Sequence, residues 1–105
     1  MTDVAASLLP KDALAAFCRR WAVTELAVFG SVLRADFGPD SDLDVLVTFR
    51  PDAEWSLWDL IRMEDELSGL AGRQVDLLTR RAIEASRNPV RRAAILGSAR
   101  GLFAA

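Results

Sequence analysis

Glu25-Leu-Ala-Val-Phe-Gly-Ser31 and Ser41-Asp-Leu-Asp-Val-Leu-Val-Thr-Phe49 are the two stretches whose reading decides the fold. The first is an apolar run that stops on glycine and serine, which predicts a strand over Glu25 to Phe29 and a turn at Gly30. Ser31 is a good N-cap, so a short helix is expected over about Val32 to Asp36. The second stretch alternates β-branched and apolar residues, which predicts a strand from Asp42 to Phe49. Successive strand residues point to opposite faces, so the i, i+2 spacing puts Asp42 and Asp44 on one face at the strand's start. Like charges held that close repel unless a cation neutralises them. Hard oxygen ligands of this kind suit Mg²⁺ or Mn²⁺.

Gly30 sits where strand becomes helix. A glycine there lets the backbone come close to a ligand, and the N–H groups of a helix start, with the Ser31 hydroxyl, offer donors to an anion. Arg34 follows three residues later on the same side and adds a cation for the same guest. Phosphate donors at one strand end and metal ligands at the next fit a nucleoside triphosphate.

Outward from this centre the pattern alternates helix and strand. Pro10 opens an amphipathic helix running to about Trp21, with Leu14, Phe17, Cys18 and Trp21 on one face. Gly38-Pro39-Asp40-Ser41 forms the turn before the second strand, and Arg50-Pro51-Asp52 ends that strand. A helix from Ser56 to about Leu70 carries Leu57, Leu60, Ile61, Glu64 and Leu67 in one stripe and closes at Gly69 and Gly72. A third strand spans Arg73 to Thr79. A turn or short helix at Arg80 to Ala85 leads to Asn88-Pro89 and a final helix to about Ala99. The expected class is α/β in the broad sense, α+β in detail: a small mixed sheet flanked by helices.

The 105 residues, 51% of them hydrophobic, suffice for one core and read as a single domain over 1–105. A net charge of −2 and a pI near 5.0 argue against a broad nucleic-acid surface, and so against template-directed synthesis. Without a basic-plus-apolar leader or a long apolar run, the expected location is the cytoplasm. Cys18 is the only cysteine and there is no histidine. An internal disulfide, a zinc site and a histidine base are therefore excluded, which leaves aspartate as the available general base.

Gly-Ser, ten residues, then Asp-x-Asp resembles the minimal nucleotidyltransferases of the DNA polymerase beta superfamily. The resemblance runs from about Glu25 to Thr79 and continues more weakly to the last helix. It implies the polymerase-beta-like fold and a third carboxylate on a later strand, which Asp76 in Gln-Val-Asp-Leu-Leu-Thr supplies. Chains of this kind are similar to the antitoxin halves of paired HEPN and minimal nucleotidyltransferase toxin–antitoxin systems. The implied activity is transfer of AMP from ATP to a tyrosine or other hydroxyl of a HEPN-type toxin. In that scheme Asp42, Asp44 and Asp76 hold two Mg²⁺ ions about 3.5–4 Å apart. Asp76 also takes the acceptor's proton, while Gly30, Ser31 and Arg34 hold the departing pyrophosphate. An alternative from another class is a non-catalytic nucleotide-binding antitoxin that neutralises its partner by occlusion. A third, an antibiotic-modifying transferase, is disfavoured because no added domain forms an acceptor pocket.

Charge is uneven along the chain. Residues 1–78 hold 7 basic and 14 acidic side chains, and residues 79–105 hold 6 arginines against Glu84. The basic tail reads either as a solvated helix face or as a docking surface, with Arg91 and Arg92 expected on an exposed face. Trp55 and Trp58 flank the start of the second long helix, where one is expected to pack inward and the other to serve as an interface anchor. The protein partner is expected to supply the wall that so small a transferase lacks, and a homo- or hetero-oligomer is the expected assembly.

Overall fold

The two apolar runs centred on Leu26 and Leu46 pair as neighbouring strands, and everything else is arranged around them. The computed structural model describes residues 9–33, 38 and 40–104, without the side chains of Ser31 and Leu33. In chain order they form helix α1 (Lys11–Arg20), strand β1 (Val23–Phe29), a 3₁₀ turn (Gly30–Leu33), β2 (Leu43–Phe49), α2 (Leu57–Ala71), β3 (Val75–Thr79), α3 (Arg80–Glu84), α4 (Pro89–Ser98) and β4 (Arg100–Ala104). The sheet runs β3-β2-β1-β4. β1 is antiparallel to both β2 and β4, while β2 and β3 are parallel and joined by α2, as a parallel pair requires a crossover. This is the mixed sheet with flanking helices expected from the sequence.

Both central strands are buried on both faces, and the period of two divides their side chains between two helix layers. Leu26, Val28, Val45 and Val47 pack with Leu14, Phe17 and Cys18 of α1 and Met63 and Leu67 of α2. Ala27, Phe29 and Leu46 pack with Ile83 of α3 and Ile95 of α4. Cys18 is a core residue as expected, 1% exposed, and burial pushes its thiol up to about 12.

Local chemistry sets the helix ends. Ser56 and Asp59 form a reciprocal capping box at the start of α2, and the Ser56 donors hold the Asp59 carboxyl below its usual range. Gly72 closes α2 in the left-handed conformation at φ 69°. Asn88 caps α4 through Arg91 N–H, with Pro89 in the first turn. Ser41 N–H bonds Gly38 O at 3.1 Å, making the expected turn before β2.

Several boundaries differ from expectation. β1 begins two residues earlier, at Val23, because Thr24 bonds Thr48 O through its hydroxyl and Val23 pairs with Phe49. β2 begins at Leu43, which leaves Asp42 just outside it. The turn after β1 is 3₁₀ over Gly30–Leu33, and the rest of the short helix expected to Asp36 lies outside the described residues. β4 was not expected at all. Among the described residues, no helix is long and apolar enough to cross a membrane.

Trp55 turns inward. It stacks edge-on against Trp21 at 5.2 Å and against Phe49 at 6.4 Å, and its indole N–H donates to Trp21 O at 3.1 Å. Trp58, in the first turn of α2, stays 73% exposed beside exposed Leu57 and Ile61.

Candidate active site

The parallel register of β2 and β3 decides where the carboxylates go. Leu46 pairs with Leu78 and Asp44 with Asp76. Partners in a parallel ladder share a face, so the aspartates continue the leucine column by one pleat, past the point where α4 covers it. Phe29, the last residue of β1, is the partner of Asp44 on the other side. The apolar layer under α4 thus ends in two acids.

They open into a cleft of about 610 Å³ whose walls include Phe29, Gly30, Asp44, Asp76, Leu78 and the Arg91–Ser98 face of α4. Gly30 has φ +72°, and a Cβ built on it would stand 2.4 Å from Asp44 Oδ2. Only glycine fits here, for conformation and for space. The close backbone approach expected at this turn is therefore made, in this structure, by a carboxylate oxygen.

Ser31 shares the 3₁₀ turn through its backbone, but its hydroxyl and all of Arg34 lie outside the described residues. Asp42 is exposed and precedes β2 by one residue, and it is not among the residues that line the cleft. Its chain neighbours are well fixed. Leu43 N–H bonds Gln74 O at 3.0 Å, and the Arg73 guanidinium donates to Gly38 O at 3.0 Å and Ser41 O at 3.1 Å. Arg73 thereby braces the loop that delivers both aspartates.

Two cleft residues carry roles that the sequence reading did not give them. Glu64 of α2 accepts Leu77 N–H at 2.9 Å, next in chain to Asp76, and Ser68 one turn later accepts Val75 N–H, also at 2.9 Å. Helix spacing of four residues matches strand spacing of two, so α2 seals the outer edge of β3 with side chains. Arg91 lines the cleft, whereas Arg92 is half-buried and donates to Ser86 O at 2.8 Å. The expected shared docking face for these arginines is not what the structure has. They are adjacent in a helix, about 100° apart in projection, and only Arg92 turns back onto the preceding loop.

Among the described residues, no three acids, histidines or cysteines are gathered closely enough to hold an ion by themselves. Mg²⁺ does not need such a cage, since it is bound through one or two carboxylates together with substrate phosphates. Asp44 and Asp76, acidic oxygen donors from adjacent strands in one open cleft, fit that mode.

The comparisons with known proteins agree with this geometry. The family model for the nucleotidyltransferase domain matches residues 11–101. The chain is 38% identical over 65 residues to the protein adenylyltransferase MntA of Thermococcus cleftensis, a match covering 62% of this chain and 64% of that protein, so it spans less than two thirds of that relative's length. A solved structure described as a minimal nucleotidyltransferase is 35% identical, with a TM-score of 0.66 and 88% of each chain covered. A toxin–antitoxin structure with AMP-PNP is 17% identical and superposes with a TM-score of 0.69 over 92% of this chain and 75% of that one, a likeness of fold. Sheet order, paired acids and glycine turn together with these matches give one conclusion: the chain belongs to the nucleotidyltransferase domain family.

Proposed function

We propose that this chain transfers AMP from ATP to a hydroxyl group, most specifically a tyrosine, of a HEPN-type toxin, and so acts as the antitoxin in the cytoplasm. The observation that carries the reading is the pairing of Asp44 with Asp76 in register, facing one cleft beside a glycine turn at positive φ. The protein adenylyltransferase name of the Thermococcus relative, and the toxin–antitoxin assembly of a structural neighbour with AMP-PNP, support the choice of donor and of partner.

In this reading Asp44 and Asp76 would hold Mg²⁺ together with the substrate's phosphates, Asp42 would join them by turning into the cleft from just before β2, and the two ions would supply Lewis-acid stabilisation of the phosphoryl oxygens. Gly30 and the Ser31 N–H receive the pyrophosphate end, with the Ser31 hydroxyl and Arg34 adding donors. The acceptor oxygen bonds to the α-phosphorus as the bond to the pyrophosphate oxygen breaks. Pyrophosphate leaves with the electron pair, and the acceptor's proton goes to the Asp76 carboxylate. Asp76 is exposed and lines the cleft, which supports its choice as the proton acceptor. The partner covers the open side and excludes water.

The test is to incubate the chain and its toxin partner with labelled ATP and Mg²⁺ and to weigh both by mass spectrometry. The toxin should gain one or more AMP units and lose its activity. Stoichiometric neutralisation without any added mass, equally strong for Asp44→Asn, would instead establish occlusion.

A further inference from the structure

Five polar side chains line the cleft among the described residues: Asp44, Glu64, Asp76, Arg91 and Ser98. Two are committed elsewhere, Glu64 to Leu77 N–H and the Ser98 hydroxyl to Ala94 O at 2.6 Å. Asp76 and Arg91 make no side-chain hydrogen bond or ion pair among the described residues, not even with each other. An acid and a cation that face one cavity without closing on each other leave a gap of a particular kind. Its natural guest offers a cation to the acid and anionic oxygens to the guanidinium.

We propose that Arg91 is a nucleotide-binding residue, holding triphosphate oxygens from the α4 wall of the cleft that Asp44 and Asp76 also line. The proposal rests on the nucleotidyl-transfer reading above and adds a ligand group that the glycine-serine and aspartate motifs do not contain. Arg91 shares its helix face with Ala94, Ile95 and Ser98, the i+3, i+4 and i+7 positions, and all four line the cleft. Ile95 is buried against Phe29 and Leu46, which fixes the height of that face over the carboxylates. The backbone of Arg91 is fixed as well, its N–H donating to the Asn88 cap at 3.0 Å. Polyanionic triphosphate brought against two acids is repelled on every side that a metal does not cover. A guanidinium on the α4 wall offsets that repulsion with bidentate, charge-assisted bonds.

Calorimetric titration of the full chain with ATP, AMP and adenosine in Mg²⁺ tests this, using wild type, Arg91→Gln and Arg91→Lys. Arg91 is exposed, so both variants should melt with wild type. Arg91→Gln should weaken ATP about ten- to hundredfold and adenosine not at all, with Arg91→Lys recovering part of the loss. Wild-type ATP affinity in Arg91→Gln overturns the proposal and leaves nucleotidyl transfer standing, and a loss of toxin binding in that variant would return Arg91 to a docking role. If wild type itself binds no ATP, the transfer reading falls together with this one.

Discussion

Asp44 on β2 and Asp76 on β3 are direct register partners, one pleat beyond the apolar pair Leu46 and Leu78. The sheet therefore sets their separation, and neither depends on the other's charge for its place. Asp44→Asn and Asp76→Asn should abolish transfer, and urea melts of the exposed Asp76→Asn should stay within about 0.5 kcal/mol of wild type. Asp42→Asn should also abolish it, through the metal role proposed for that residue. Near wild-type transfer in any of the three removes that residue from the metal site.

Gly30 is the position where conformation and space are constrained together. Gly30→Ala should cost roughly 1–2 kcal/mol from the left-handed backbone alone, before the clash with Asp44 Oδ2 is counted. Gly30→Val should in addition abolish ATP binding, measured by calorimetry on folded protein. Unchanged affinity would place the nucleotide elsewhere.

Glu64 supports the site from the other side of β3. Glu64→Ala strands the Leu77 N–H at a half-buried position, a loss of about 1–3 kcal/mol. Hydrogen exchange at Leu77 and Val75 should quicken, and transfer should fall with it. Glu64→Gln keeps an acceptor and should restore most of both. Equal exchange in Glu64→Ala and wild type would show that the contact does not hold the strand.

Cys18 gives a pH signature independent of the site. Its thiol is raised from 9.0 to about 12 in the fold, so above pH 9 the unfolded chain loses a proton that the native state keeps. The contribution is intact below about pH 9 and fades as pH rises toward 12. Cys18→Ala should flatten that part of the stability profile, and wild type should resist alkylation at pH 8 until unfolded.

Trp55 and Trp58 should behave oppositely. Trp55→Ala loses two aromatic contacts and the bond to Trp21 O, and should cost roughly 3 kcal/mol, the low end for aromatic truncation. Trp58→Ser should leave the thermal midpoint unchanged and weaken toxin binding in a titration. A destabilised Trp58→Ser would place that ring in the core instead.

Most of the sheet was legible because β1 and β2 carry short apolar runs bounded by turn residues, and the order strand, turn, strand around Gly30 follows from one glycine and two aspartates. What escaped was set by tertiary neighbours. β4 reads Arg-Gly-Leu-Phe-Ala, too short and too poor in β-branched residues to announce itself, and it is a strand because β1 offers an open edge. Glu64 looked like one more member of an apolar stripe, since nothing in α2 says that a backbone N–H of a later strand will be waiting for it. Arg91 and Arg92 looked equivalent for the same reason. Their difference lies in the loop at Ser86 and in the cleft, neither of which is local in sequence.

The sealing of β3 by Glu64 and Ser68 also restricts how another chain can reach the acids. A partner cannot extend the sheet at this border by lending a strand, because the outward amide hydrogens of Val75 and Leu77 are already taken. In the transfer reading proposed above, an acceptor side chain would enter instead through the open cleft between α4 and the carboxylates. Such an entry would suit a protruding loop or tail with a terminal hydroxyl better than a flat, strand-presenting surface. The strand that carries Asp76 is thus guarded against backbone pairing while its side chain stays open to chemistry.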